Sequence, residues 1–368
     1  MSRLLIAAGG GGDALAAALI HDATAVGRAS ASEPAAIATW AWDRLAVDPR
    51  PGPRGTADFT GLGRIGAGVA VITEITRPLP PAGSTLPRLA VELDVPLLLL
   101  DAVGGAVGLR AQIRVIATVT DARSVEVVDV GGDILARGDE AGLRSPLADG
   151  LILAACDGLD VPVTVLVAGP GLDGELTEAE VLARAGDDLA LRLTAAHVDR
   201  HGHILDWHPS EASALLVAAA RGARGKAEIR GDGVPVLLTD RSPNVYRISL
   251  ARASTLNPVA RALQSTRSME EAEMVVRRYC GFSEIDFERL KVAAIRRRAS
   301  PCQLPDDEQV RAFEQQAAAR GIDYLTFRRL AEAFSLRHTA AAQLRARLIT
   351  TRPSHYAPPL WRTRPRCP

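Results

Sequence analysis

Short apolar runs alternate with longer stretches of helical spacing through the first two thirds of the chain. The runs are Leu4–Ala8, Leu45–Val47, Val69–Thr73, Leu97–Leu100, Val125–Val128, Thr164–Ala168 and Val234–Leu238. Most lack polar alternation, which is how strands buried on both faces read. Apolar positions three and four apart predict helices between them, over Ala14–Val26, Leu86–Leu93, Gly108–Thr118, Pro146–Ala155, Glu178–Ala185 and Ser210–Arg221. This order predicts an α/β domain with a mostly parallel, doubly wound sheet. Such sheets bind ligands outside the carboxyl ends of their strands, so the residues just after each run are the first place to look for chemistry.

Beyond Asn257 the pattern becomes purely helical. Asn257–Gln264, Ser268–Tyr279 and Ser283–Arg298 read as consecutive helices, with Ser268 and Ser283 as N-caps. Pro301–Pro305 is a break, followed by helical patterns over Asp306–Arg320, Tyr324–Leu336 and Thr339–Leu348. The expected organisation is therefore an α/β ligand-binding core over residues 1–256, with 257–298 as its helical part. A helical extension over 306–349 and a poorly ordered, Pro- and Arg-rich tail over 350–368 complete it.

Four clusters follow predicted strands. Gly9, Gly10, Gly11, Gly12 and Asp13 open a helix, where free N–H groups and the macrodipole favour an anion. Asp48 and Arg54 flank a proline turn, and a guanidinium is shaped for bidentate capture of carboxylate or phosphate. Asp129, Gly131, Gly132 and Asp133 lead on to Arg137, Ser145 and Asp149. Gly169, Gly171, Asp173 and Glu175 form a second glycine turn before a helix. Any one of these is also a plain turn with an Asp cap; four on one sheet edge point to a polar-ligand site. Asp129 and Asp133 are the expected catalytic pair, either sharing a magnesium ion or acting as general base and substrate anchor.

Composition narrows the function classes. With 43 basic and 43 acidic residues, no global field draws the chain to nucleic acid or to a membrane surface. Aromatics are 4% of residues, too few for base stacking, so the core is expected from Leu, Val, Ile and Ala. The four cysteines form no CxxC pair, and no apolar segment precedes the first strand, so a cytoplasmic location is expected. No Walker A loop and no Gly-x-Ser-x-Gly elbow is present. His197, His201, His203 and His208 lie close in sequence with Asp206, but they read as a solvated loop more readily than as a zinc site.

The segments Leu4–Asp13, Asp48–Arg54, Val128–Gly138 and Gly169–Leu176, together with Asn257-Pro258, resemble the prokaryotic family known as domain of unknown function 1152. The resemblance covers roughly residues 3–298 and implies a Rossmann-like sheet; it carries over no catalytic residues. A fainter likeness, in Gly131-Gly132-Asp133-Ile134 alone, is to the Gly-Gly-Asn-Glu-Ile turn of D-glutamate cyclase-like proteins. There Asp replaces Asn and the Glu is missing.

The expected function is that of an enzyme on a small anionic metabolite: a phosphorylated compound, a nucleotide or an amino acid. A ligand sensor whose C-terminal helices contact a protein or peptide partner is the alternative. A tailoring enzyme of peptide or secondary-metabolite biosynthesis is a third reading.

Overall fold

The structure is a computed structural model describing residues 2–25, 35–297, 303–336 and 338–365. Nine strands form its main sheet: β1 (Ser2–Ala7), β2 (Ala35–Trp40), β3 (Gly63–Ile65), β4 (Val69–Ile72), β5 (Leu97–Leu100), β6 (Ala122–Val130), β7 (Val163–Ala168), β8 (Leu189–Arg192) and β9 (Asn244–Ser249). Their order is β8-β9-β7-β6-β1-β2-β5-β4-β3. The five central strands, β7-β6-β1-β2-β5, run parallel. Antiparallel pairs extend the sheet on both sides.

The central strands are nearly all apolar because both faces are covered. In β1, Leu4 and Ile6 enter one core, while Leu5 and Ala7 enter the other. The first core includes the helices Gly105–Val119 and Pro146–Cys156; the second includes Gly11–Ala25 and Glu211–Ala220. The run Ala102–Val119 is long and apolar enough to cross a membrane by length and composition. Its Leu109, Ile113 and Ile116 are buried in the first core.

Four expectations are corrected. The second strand is Ala35–Trp40, whereas Leu45–Val47 is a turn. Three apolar residues are too few for a strand, and the alanines of Ala-Ala-Ile-Ala-Thr-Trp mask a real one. Val234–Leu238 does not join the parallel sheet. It pairs antiparallel with Gly225–Ile229 in a second, five-stranded sheet whose other members are Tyr324–Leu325, Leu360–Arg362 and Tyr356–Ala357.

The third correction is the tail. Residues 350–365 are built into that second sheet: Trp361 is fully buried, stacks on His355 and donates from Nε1 to Glu314 at 2.7 Å. Arg352 pairs with the same carboxylate at 2.6 Å. Proline and arginine dominate the composition there and hide the two residues that anchor it, Leu360 and Trp361. The expected helix Tyr324–Leu336 is split likewise, with Thr326 capping a shorter helix, Phe327–Ala333.

Candidate active site

The parallel strands number 3-2-1-4-5 across the sheet, counting only those five in chain order, so the order reverses between β1 and β6. A cleft of about 940 Å³, solvent at its mouth included, lies at the carboxyl ends of these strands. Gly9, Gly12 and Asp13 reach it from β1, Trp42, Asp43 and Arg44 from β2, and Asp129 and Asp133 from β6. Asp173 and Glu175 enter from beyond β7, and Asp149 from the helix Pro146–Cys156. The β2 end is fixed to the β1 loop by Trp40 Nε1, which donates to the Ala8 carbonyl at 2.6 Å, and Trp42 packs edge-on against Trp40.

The carboxylates fall into two triads. Oxygens of Asp13, Asp129 and Asp149 lie within 4.8 Å of one another, and so do those of Asp133, Asp173 and Glu175. The second triad is well supplied with donors. Glu175 accepts from the N–H groups of Arg144 (2.6 Å) and Ser145 (2.9 Å), from Ser145 Oγ (2.6 Å) and from Arg230 Nη2 (2.9 Å). Ser145 Oγ also reaches Asp133 Oδ2 at 3.2 Å, and Asp173 accepts from Glu175 N at 3.1 Å. The first triad has little of this. Gly9 N–H donates to Asp13 at 2.6 Å, but Asp129 Oδ2 and Asp149 Oδ1 are buried with no hydrogen-bond partner among the described residues, a state that Asp173 Oδ2 of the second triad shares.

Burial raises the proton affinity of these acids. It is the first cause in every case, and neighbouring carboxylates add to it. Asp13 and Asp173 are pushed up to about 7. Asp129, Asp133 and Asp149 are raised well above the ordinary carboxylate range. Asp133 is hydrogen-bonded to both Asp129 and Asp173, an arrangement that needs a proton between each pair of carboxyl groups. His208 is driven down to about 4 by burial and is neutral. Its Nδ1 accepts from Ser210 N–H at 3.3 Å, which assigns the proton to Nε2, a buried donor with no partner among the described residues.

The glycines of the sequence motifs serve the carboxylates. A Cβ on Gly9 would fall 2.8 Å from Asp13 Oδ2. At Gly131, where φ is +126°, a Cβ would lie 2.2 Å from the Asp173 carboxyl carbon. The loop N–H groups expected to bind an anion are largely taken: Gly9 by Asp13, Gly169 by the Asn244 carbonyl and Gly171 by the Gly131 carbonyl. Gly10 opens the first helix through its carbonyl, Gly11 begins that helix and Gly132 caps the 3-10 turn Asp133–Leu135.

Arg54 is no anion clamp. It forms a buried ion pair with Asp48 at 2.8 Å and donates to the carbonyls of Arg50, Pro51 and Gly52, fixing the proline turn away from the cleft. Arg137 does not line the cleft either; its backbone N–H donates to Glu140. The histidines disperse, His201 to Asp22 and His203 to Glu92, while Asp206 pairs with Arg345. His208 alone of that group lines the cleft.

Several lining residues escaped the sequence reading. The guanidinium of Arg44, an exposed residue, has no hydrogen-bond or ion-pair partner among the described residues; the misplaced second strand concealed it. Glu284 accepts from the N–H groups of Leu147 and Ala148, capping the helix that carries Asp149, and burial pushes it up to about 8. Glu288, one turn on, accepts from Gly52 N–H and Trp42 Nε1. Arg328, from the segment after the Pro301–Pro305 break, reaches the cleft on an ion pair with Glu211 at 3.2 Å.

The family described as a protein of unknown function, DUF1152, matches residues 4–292. The chain belongs to that family. No curated protein and no solved structure matches the chain. In this DUF1152 member the match takes in both triads, Arg44, Glu284 and Glu288, and ends before the segment that supplies Arg328.

Proposed function

We propose that the protein is an enzyme acting on a small anionic metabolite (a phosphorylated compound, a nucleotide or an amino acid) at the carboxyl edge of a Rossmann-like sheet. The strand order 3-2-1-4-5 supports the Rossmann-like reading, as does a cleft at the point where that order reverses. One observation carries the functional reading: proton-holding carboxylates face partnerless donors across a single cleft. Arg44 and the Nε2–H of His208 are those donors, suited to phosphate or carboxylate oxygens.

Asp133 is the general base in this reading. It sits beside the Ser145 hydroxyl and is hydrogen-bonded to two carboxyl groups, and burial with those neighbours raises its proton affinity, which suits a group that takes up and returns a proton during turnover. This favours catalysis over a sensor role, since ligand binding alone needs no such base. The cleft carries ten carboxyl groups against three guanidiniums, so an anionic group enters more readily with a cation beside it.

A thermal-shift screen of the full chain against nucleotides, sugar phosphates and amino acids, each with and without magnesium, tests the proposal. A ligand at a hundredfold excess over its Kd adds about 2.7 kcal/mol of stability. The expected result is a stabilising phosphate or carboxylate compound whose effect is lost in Arg44→Gln. Asp133→Asn should keep binding and lose turnover. A flat screen with folded protein, or full turnover in Asp133→Asn, contradicts the proposal. Deleting the C-terminal segment is not a clean test, because it removes Arg328 and three strands of the second sheet.

A further inference from the structure

We infer that Asp13, Asp129 and Asp149 form a binding site for one hard divalent cation of the magnesium–manganese class, and that the neighbouring triad does not. The inference rests on the cleft assigned above and deepens it by naming the ligand set.

Geometry comes first. A cation with oxygen ligands at about 2.1–2.5 Å holds oxygens on its opposite sides about 4–5 Å apart. The oxygens of Asp13, Asp129 and Asp149 lie within 4.8 Å of one another. They arrive from three separate elements: the first turn of Gly11–Ala25, the end of β6 and the helix Pro146–Cys156.

The second observation is independent of the clustering. Asp129 is 2% and Asp149 3% exposed, yet Asp129 Oδ2 and Asp149 Oδ1 accept no hydrogen bond from any described residue. Buried carboxylate oxygens are ordinarily satisfied, and leaving one without a donor is costly. No lysine, arginine or histidine forms an ion pair with Asp13, Asp129 or Asp149 among the described residues. The other triad differs in its charge partner: one of its oxygens, Asp173 Oδ2, is likewise buried without a donor, but Arg230 and Ser145 occupy Glu175, so a cation already sits on that set. The donor set is all carboxylate, without sulfur or imidazole, which suits magnesium, manganese or calcium and not zinc or copper.

Equilibrium binding of manganese(II) to metal-stripped, full-length protein, followed by the electron paramagnetic resonance signal of free manganese, tests this without any substrate. One ion per chain is expected. Asp149→Asn and Asp129→Asn should each weaken binding beyond the about 10–100-fold that loss of an outer-shell partner causes, while Asp173→Asn stays within about 10-fold. Circular dichroism of each variant separates lost ligation from lost folding, and Asp13→Asn provides a third ligand substitution. No binding by folded wild-type protein overturns the inference. So does binding indifferent to Asp149→Asn, or two ions of which one depends on Asp173. Manganese binding with no metabolite found in the screen leaves the cation site standing and removes the substrate reading. A metabolite bound without any metal does the reverse.

Discussion

The two carboxylate triads lie in one cleft, and the chain treats them in opposite ways. Around Asp133, Asp173 and Glu175 it supplies a guanidinium, a hydroxyl and three backbone N–H groups. Around Asp13, Asp129 and Asp149 the described residues supply two N–H groups, from Gly9 and Gly132, with no guanidinium and no hydroxyl, and leave two buried oxygens unmet against one, Asp173 Oδ2, in the other set. The difference separates a set anchored by its own cation, Arg230 on Glu175, from a set that has none and leaves room for one.

The largest expected effect lies in the compensated triad. Glu175→Ala strips Arg230 of its ion pair and removes the acceptor from Ser145 and two N–H groups. Breaking a buried pair in this way costs about 3–5 kcal/mol, measurable by urea denaturation. The uncompensated triad should respond with the opposite sign. Asp149→Asn removes a buried carboxyl that its acidic neighbours repel and should stabilise the metal-stripped protein at neutral pH. Destabilisation by Asp149→Asn would erase the comparison.

A pH series sharpens it further. Asp13 and Asp173 bind their protons more tightly folded, up to about 7, than in the unfolded chain, at the ordinary 3.8. Their contribution to stability is complete below about pH 4 and is lost as pH rises through about 7. The Tm of metal-stripped protein should therefore fall between about pH 4 and about pH 7. Saturating manganese should flatten or reverse that slope, because the ion takes the ionised form. The smallest effects belong to the glycines. Gly131→Ala forces a Cβ against Asp173 at positive φ and should cost about 1–3 kcal/mol. Gly9→Ala, opposite the far end of a side chain, should cost less in stability and mainly weaken manganese binding through Asp13.

Much of this architecture is legible in the sequence. The apolar runs of β1, β6 and β7 stand out because they are buried on both faces, and the acids that follow them, Asp13, Asp129, Asp133, Asp173 and Glu175, line the cleft as the sheet-edge rule requires. What is lost is lost for local reasons. Alanine-rich β2 carries no strand signal, and with it went Trp42, Asp43 and Arg44, leaving Arg54 to be chosen in their place. Asp149 reads in the sequence only as the end of the third cluster, yet it is the single charged residue in an eleven-residue helix buried throughout, which is an expensive place for a carboxylate. Glu284 and Glu288, four apart on one helix face, meet the cleft only through contacts more than 130 residues distant in sequence, from Leu147 to Glu284 and from Gly52 to Glu288. No local pattern reports such a meeting. The glycine runs were legible as turns, but their effect, making room for the chain's own acids, depends on where Asp13 and Asp173 fold back.

The most direct test of the account is anomalous diffraction from crystals of the full-length protein grown with manganese. The account predicts one anomalous peak in this cleft, within ligand distance of Asp13, Asp129 and Asp149, with Glu175 still on Arg230. A peak centred on Asp133, Asp173 and Glu175, or a manganese-saturated crystal with no peak in the cleft, would contradict it.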